Sequence, residues 1–197
     1  MALVFVTTPK SMSVKLLLVL MLSIAGLNNK AGNDTTENNN PEMLVDWNPE
    51  RRLTWDDFRG RPDPSTGNAA LTSTSINIDY SYNQRELKYS IRCQFDPTKS
   101  WGRVRNNHIL GHEQAHFDIA EIHARELYKA MQEYRFKPST VSQDINKIYE
   151  TVMQMHQNMQ AQYDGQTDYS RNPPTQREWQ DYIAKRLEEL APYADYR

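Results

Sequence analysis

From Thr74 to Phe95 the chain alternates apolar and polar residues with a period of two. Ile76, Ile78, Tyr80 and Tyr82 alternate with Ser75, Asn77, Asp79 and Ser81. After a polar break at Asn83–Glu86, Leu87, Tyr89, Ile91, Cys93 and Phe95 alternate with Lys88, Ser90, Arg92 and Gln94. The pattern predicts two strands, Thr74–Tyr82 and Leu87–Phe95, joined as a hairpin with one apolar face. A two-stranded ribbon is marginal in water, so that face has to pack on something else.

Beyond Arg105 the period lengthens to that of a helix. A first helix is expected from about Arg105 to Tyr134, apolar nearly all round (Ile109, Leu110, Ala115, Phe117, Ile119, Ala120, Ile122, Leu127) and therefore buried and central. Pro138 interrupts. Thr140 with Gln143 reads as a capping box opening a second helix that reaches about Gln162, with Ile145, Ile148, Val152, Met153, His156 and Met159 as its stripe. A polar link, Asp164 to Asn172, leads to Pro173-Pro174. Thr175 with Glu178 is expected to cap a third helix carrying Trp179, Tyr182, Ile183, Leu187 and Leu190. Strands first and helices after predict an α+β domain. Ahead of the hairpin, Trp55 and Phe58 are expected to anchor Leu53–Gly60 on the core.

The N-terminus changes the picture. Lys15 precedes the apolar run Leu16–Gly26, which has the length of a signal-peptide core and is short for a membrane span of about 20 residues. Residues 1–27 are thus expected to be an export signal, with no stable membrane span once it is removed, and the protein is placed in the periplasm or outside the cell. Residues 28–43, rich in Asn and Thr, read as a disordered linker, and residues 44–197 as the folded domain. Formal net charge is -2 in 197 residues, with no long Lys/Arg run, which argues against nucleic acid as a partner. The single cysteine, Cys93, excludes an intramolecular disulfide and reads as a small buried hydrophobe.

His112-Glu113-Gln114-Ala115-His116 matches the zinc-peptidase pattern His-Glu-x-x-His. On a helix the two histidines lie about 40° apart and one turn up, so both rings reach one tetrahedral ion at about 2.0–2.1 Å. Glu113 sits at the rim of the same face and is expected to act as general base on a zinc-activated water. A third ligand has to come from elsewhere. His123 lies about 10 Å from His116 along the axis, too far to share its ion, and reads as a supporting or core residue. His108, one turn before His112, is a rival ligand, while Asp164, Tyr169, Asp168 and His156 remain candidates. Glu121 and Arg125 read as a surface ion pair, the Met153, Met155 and Met159 series as helix packing, and Tyr196 as a packing or tail residue.

The chain resembles a family of bacterial proteins described as predicted secreted zinc-dependent proteases. The resemblance spans about Leu53 to Leu190 and rests on Leu53-Thr54-Trp55-Asp56-Asp57-Phe58-Arg59-Gly60, on Ala70-Leu71-Thr72-Ser73-Thr74, on Gly111-His112-Glu113-Gln114-Ala115-His116-Phe117-Asp118-Ile119-Ala120-Glu121, and on Tyr163-Asp164-Gly165-Gln166-Thr167-Asp168. It implies zinc (Zn2+) at His112 and His116 with Glu113 as base. After the Thr-Asp pair the family pattern has His-Gly, and here Tyr169-Ser170 stand in their place. That leaves Asp164 or Tyr169 as third ligand. The expected protein is an exported zinc hydrolase with a zincin-like α+β fold. It would be a metallopeptidase acting on a peptide or protein. The alternative is a non-catalytic binding or scaffold protein of the cell envelope on the same fold. A zinc amidase acting on cell-wall peptides would use the same chemistry.

Overall fold

The computed structural model describes residues 12–20 and 44–196. A four-stranded antiparallel sheet contains β1 (Met12–Leu20), β2 (Val45–Asp46), β4 (Thr74–Tyr82) and β5 (Leu87–Phe95) in the order β1-β4-β5-β2. A separate ribbon pairs β3 (Ala70–Leu71) with β6 (Trp101–Gly102). Three helices follow, α1 (Asn107–Glu133), α2 (Val141–Thr167) and α3 (Pro173–Glu189).

Both hairpin strands fall where the alternation places them. Between them, the Asn83 side chain accepts from the main-chain N–H of Arg85 and Glu86, which closes the turn. On the sheet face turned to the helices, Ile76, Ile78, Tyr80, Ile91, Cys93 and Phe95 are buried against Phe117, Ala120, Ala124 and Leu127 of α1 and Ile145, Tyr149 and Val152 of α2. A second, smaller core joins Ala115, Ile119 and Ile122 of α1 to Tyr163 of α2 and Ile183 of α3. With a core on each side, α1 is the central helix, as its all-round apolarity predicts.

An aromatic series, Trp55–Phe58–Phe95–Phe117, ties the segment before the hairpin to α1, with successive ring centroids 5.0, 5.1 and 5.8 Å apart. A polar clamp reinforces it. Asp118 accepts from Trp47 Nε1 (2.8 Å) and from Gln114 Nε2 (2.9 Å), and pairs with Arg52. Gln114 in turn accepts from the main chain of Leu53 (2.7 Å).

Several expectations are corrected. The segment from Asp164 to Thr167 is not a link, because α2 continues through it. Thr140 and Gln143 form no capping box, and the Thr140 hydroxyl donates to Asp144 instead. The cap of α3 is Asn172, with Pro173 and Pro174 in its first turn, where their missing N–H groups cost nothing. Glu121 and Arg125 are not a surface pair: both are buried. Glu121 also accepts from the buried Tyr196 hydroxyl, and Arg125 donates to the Leu187 carbonyl. The burial of Tyr196 makes it a packing residue, not a free tail. Met12–Leu20, which overlap the expected leader, form strand β1 in register with β4 from Tyr82 to Thr74, and this pairing has no bearing on whether the segment is an export signal. The rest of the leader and the 28–43 linker lie outside the described residues. Among the described residues no helix is long and apolar enough to cross a membrane.

Candidate metal centre

α1 begins at a defined point because the Asn106 side chain accepts from Ile109 N–H (2.9 Å), which satisfies one of the open first-turn donors. That start sets His112 and His116 on successive turns of one face. Opposite them runs α2, whose extension to Thr167 carries Asp164 in against them. His112 Nε2 lies 3.2 Å from His116 Nε2, and Asp164 Oδ1 lies 3.2 and 3.1 Å from the two nitrogens. All three residues are buried and form a cluster able to hold a metal ion.

Three donors bound at about 2.0–2.1 Å in a tetrahedral arrangement stand about 3.3 Å apart. The observed triangle is within a few tenths of that, so an ion fits with little movement. The donor set, two imidazole nitrogens and one carboxylate oxygen, suits zinc and leaves a fourth position open. Two more observations fit. Glu113 is fully enclosed, and its Oε2 has no hydrogen-bond partner; nor has His112 Nδ1. Buried polar atoms without partners are rare and mark places where a water or ion belongs.

The electrostatics point the same way. Burial lowers the pKa of His112 to about 4 against the pull of Asp164. For His116 burial also lowers it, but the hydrogen bond and charge of Asp164, together with Glu113, outweigh burial and lift it to about 9. Burial would raise Asp164, yet the hydrogen bonds from both histidines hold it well below the usual carboxylate range. Asp164 thus favours a cation where the donors converge, which a metal ion can supply with His116 Nε2 unprotonated. Burial raises the Glu113 carboxyl above its ordinary value.

The walls come from residues to which the sequence assigns no role at the site, Glu113 and Tyr169 apart. Tyr163 stacks on His112, with centroids 4.6 Å apart and planes at 21°, and meets His116 edge-on. Trp179 backs Tyr163 at 5.5 Å. Gly111 lets α3 come close, since a Cβ there would lie 3.0 Å from the Gln180 amide nitrogen. A cavity of about 60 Å³ opens in front of the triad, lined by Asn68–Thr72, Ile109, Glu113, Tyr169 and Ser170. The larger groove of about 550 Å³, between the three helices, holds no comparable convergence of donors.

The rival ligands are accounted for. Tyr169 lines the cavity with its side chain half exposed. Asp168, Tyr169 and Ser170 all take left-handed backbone angles, with φ of 50°, 52° and 70°. His108 holds that turn, its Nε2 lying 2.6 Å from the Ser170 carbonyl. Asp168 pairs with Arg171, away from the triad. His156 bonds Gln160, and His123 Nδ1 bonds the Ile119 carbonyl. Periodicity finds none of Gln160, Tyr163 or Thr72. The one available signal is the four-residue spacing of His156, Gln160 and Asp164, which puts them on one stripe of α2 facing α1.

The model of a family described as "Bacterial protein of unknown function (DUF922)" matches residues 24–172, and the chain belongs to that family. No curated protein and no solved structure matched.

Proposed function

For this member of a bacterial family of unknown function, we propose an exported zinc-dependent hydrolase that cleaves peptide bonds. The observation that carries the reading is the convergence of His112 Nε2, His116 Nε2 and Asp164 Oδ1 beside the enclosed carboxylate of Glu113, whose Oε2 has no hydrogen-bond partner. His112, His116 and Asp164 would hold the ion, and zinc supplies Lewis-acid polarisation of a carbonyl at such a site. Glu113 takes a proton from the attacking water and returns it to the leaving amine. Tyr163 and Ile109 keep bulk water from the donors.

The peptide substrate is supported by strand β3. Ala69 O accepts from Arg103 N, and the register pairs Leu71 with Trp101. In that alternation the N–H and C=O of Ala70 and Thr72 turn away from β6. β3 borders the cavity, with the Thr72 hydroxyl bonded to the Glu113 carbonyl. An extended peptide can pair with such an edge.

The non-catalytic reading is favoured by Tyr169-Ser170, which replace the His-Gly of the resembled pattern. The two readings part on Glu113→Gln. In an enzyme, hydrolysis of a mixed peptide library falls by about 10²–10⁴-fold while zinc content holds, because Glu113 is not a ligand. Parent protein that carries zinc and cleaves nothing supports the binding protein.

A further inference from the structure

We propose that Gln160 is a positioning residue that fixes the ring of His116 for metal binding, and that His156 fixes Gln160. The inference rests on the metal-site reading above. Gln160 is 2% exposed and sits one helical turn from Asp164 and one from His156 on the same stripe of α2. Its Nε2 lies 3.0 Å from the main-chain oxygen of His116 and 2.9 Å from His156 Nε2. Its Oε1 lies 2.5 Å from His116 Nδ1.

These contacts leave one consistent arrangement. A main-chain carbonyl only accepts, so the amide atom facing it has to be the nitrogen. The reversed amide would set its oxygen 3.0 Å from another oxygen. The second amide hydrogen then goes to His156 Nε2, which has to be unprotonated to accept it. Burial, with the nearby rings of His123 and His116, keeps His156 neutral by lowering it to about 3. With both hydrogens committed, Oε1 faces His116 Nδ1 and accepts its proton. His116 Nε2 is thereby left with its lone pair turned to the cavity, the state a metal ligand needs.

The two histidine ligands are thus held differently. The His112 ring is held by stacking on Tyr163, and its Nδ1 has no partner. The His116 ring is held by a hydrogen bond whose far end is a main-chain atom of α1 itself. The connection runs from His156 through Gln160 to His116, entirely in the interior. A purely structural role for Gln160 would need its volume and no particular atom, which gives the test its form.

The test uses the full chain, stripped of metal and reloaded, with Gln160→Met beside the parent. Met keeps the volume and loses the hydrogen bonds. Zinc affinity is read by chelator competition, and ligand geometry by the visible spectrum of the cobalt-loaded protein. Gln160→Met is expected to weaken zinc by about 10–100-fold and to shift the cobalt bands. Met equal to the parent in both readouts overturns the inference and leaves the metal site standing. A folded parent that takes up no zinc overturns the metal reading and the inference together. If Gln160→Met does not fold, His156→Leu is read in its place: a loss of a few-fold in zinc affinity supports the proposal, and unchanged affinity overturns it.

Discussion

At the scale of single residues, the motif His112-Glu113-Gln114-Ala115-His116 is legible because its chemistry depends on spacing along one helix. Its partners are not legible because they depend on how two helices meet. Asp164 and Tyr169 stand equal in the sequence, both polar and both near a turn. The structure separates them: the Asp164 carboxylate completes the donor triangle, and Tyr169 occupies the cavity rim. The buried histidines lead to a prediction of pH dependence. Burial lowers His123 to about 4 from an ordinary 6.5, so the unfolded chain takes up a proton in a range where the folded chain does not. Stability is full above pH 6.5 and falls as pH drops towards 4, by about 3 kcal/mol at most from this residue. Urea midpoints at pH 7 and pH 4.5 check it. His123→Gln is expected to lessen the loss; an equal loss in both proteins contradicts it.

At the scale of elements, period-two alternation places both hairpin strands, because one face is solvated and the other buried. The end of α2 is hidden for the opposite reason. Asp164-Gly165-Gln166-Thr167-Asp168 looks like a loop in composition, yet Tyr163, Asp164 and Thr167 are buried and tertiary packing overrides weak local propensity. Gly165 remains as a local cost. It is exposed, its φ is not in the left-handed region, and a Cβ there would meet nothing within 4 Å. Gly165→Ala is therefore expected to stabilise the fold by about 0.5–1 kcal/mol, raising Tm by about 1–4 °C. Zinc affinity should not change. A lower Tm on thermal scanning would mean that this turn of α2 is not helical.

At the scale of the whole molecule, the long motif around α1 divides into two sets of residues. His112, Glu113 and His116 face the cavity. Gln114 and Asp118 face the other way and clamp the segment from Trp47 to Leu53 onto the helix. Asp118→Ala leaves the buried donors Trp47 Nε1 and Gln114 Nε2 without their acceptor and should cost about 2–4 kcal/mol. Its zinc content should match the parent, as measured on folded protein. Loss of metal without loss of stability would reverse that division. The sheet carries a further point of scale: Met12–Leu20, which overlap the segment read as an export leader, pair along the outer edge of β4. Composition alone does not reveal this, since a leader and an edge strand draw on the same apolar residues.

The most direct test of the metal centre is zinc per chain, by elemental analysis of the purified full chain, with Asp164→Ala and Tyr169→Phe alongside. The triad predicts about one zinc in the parent and in Tyr169→Phe, and almost none in Asp164→Ala. A well-folded parent without zinc, or Asp164→Ala that keeps its zinc while Tyr169→Phe loses it, would contradict it.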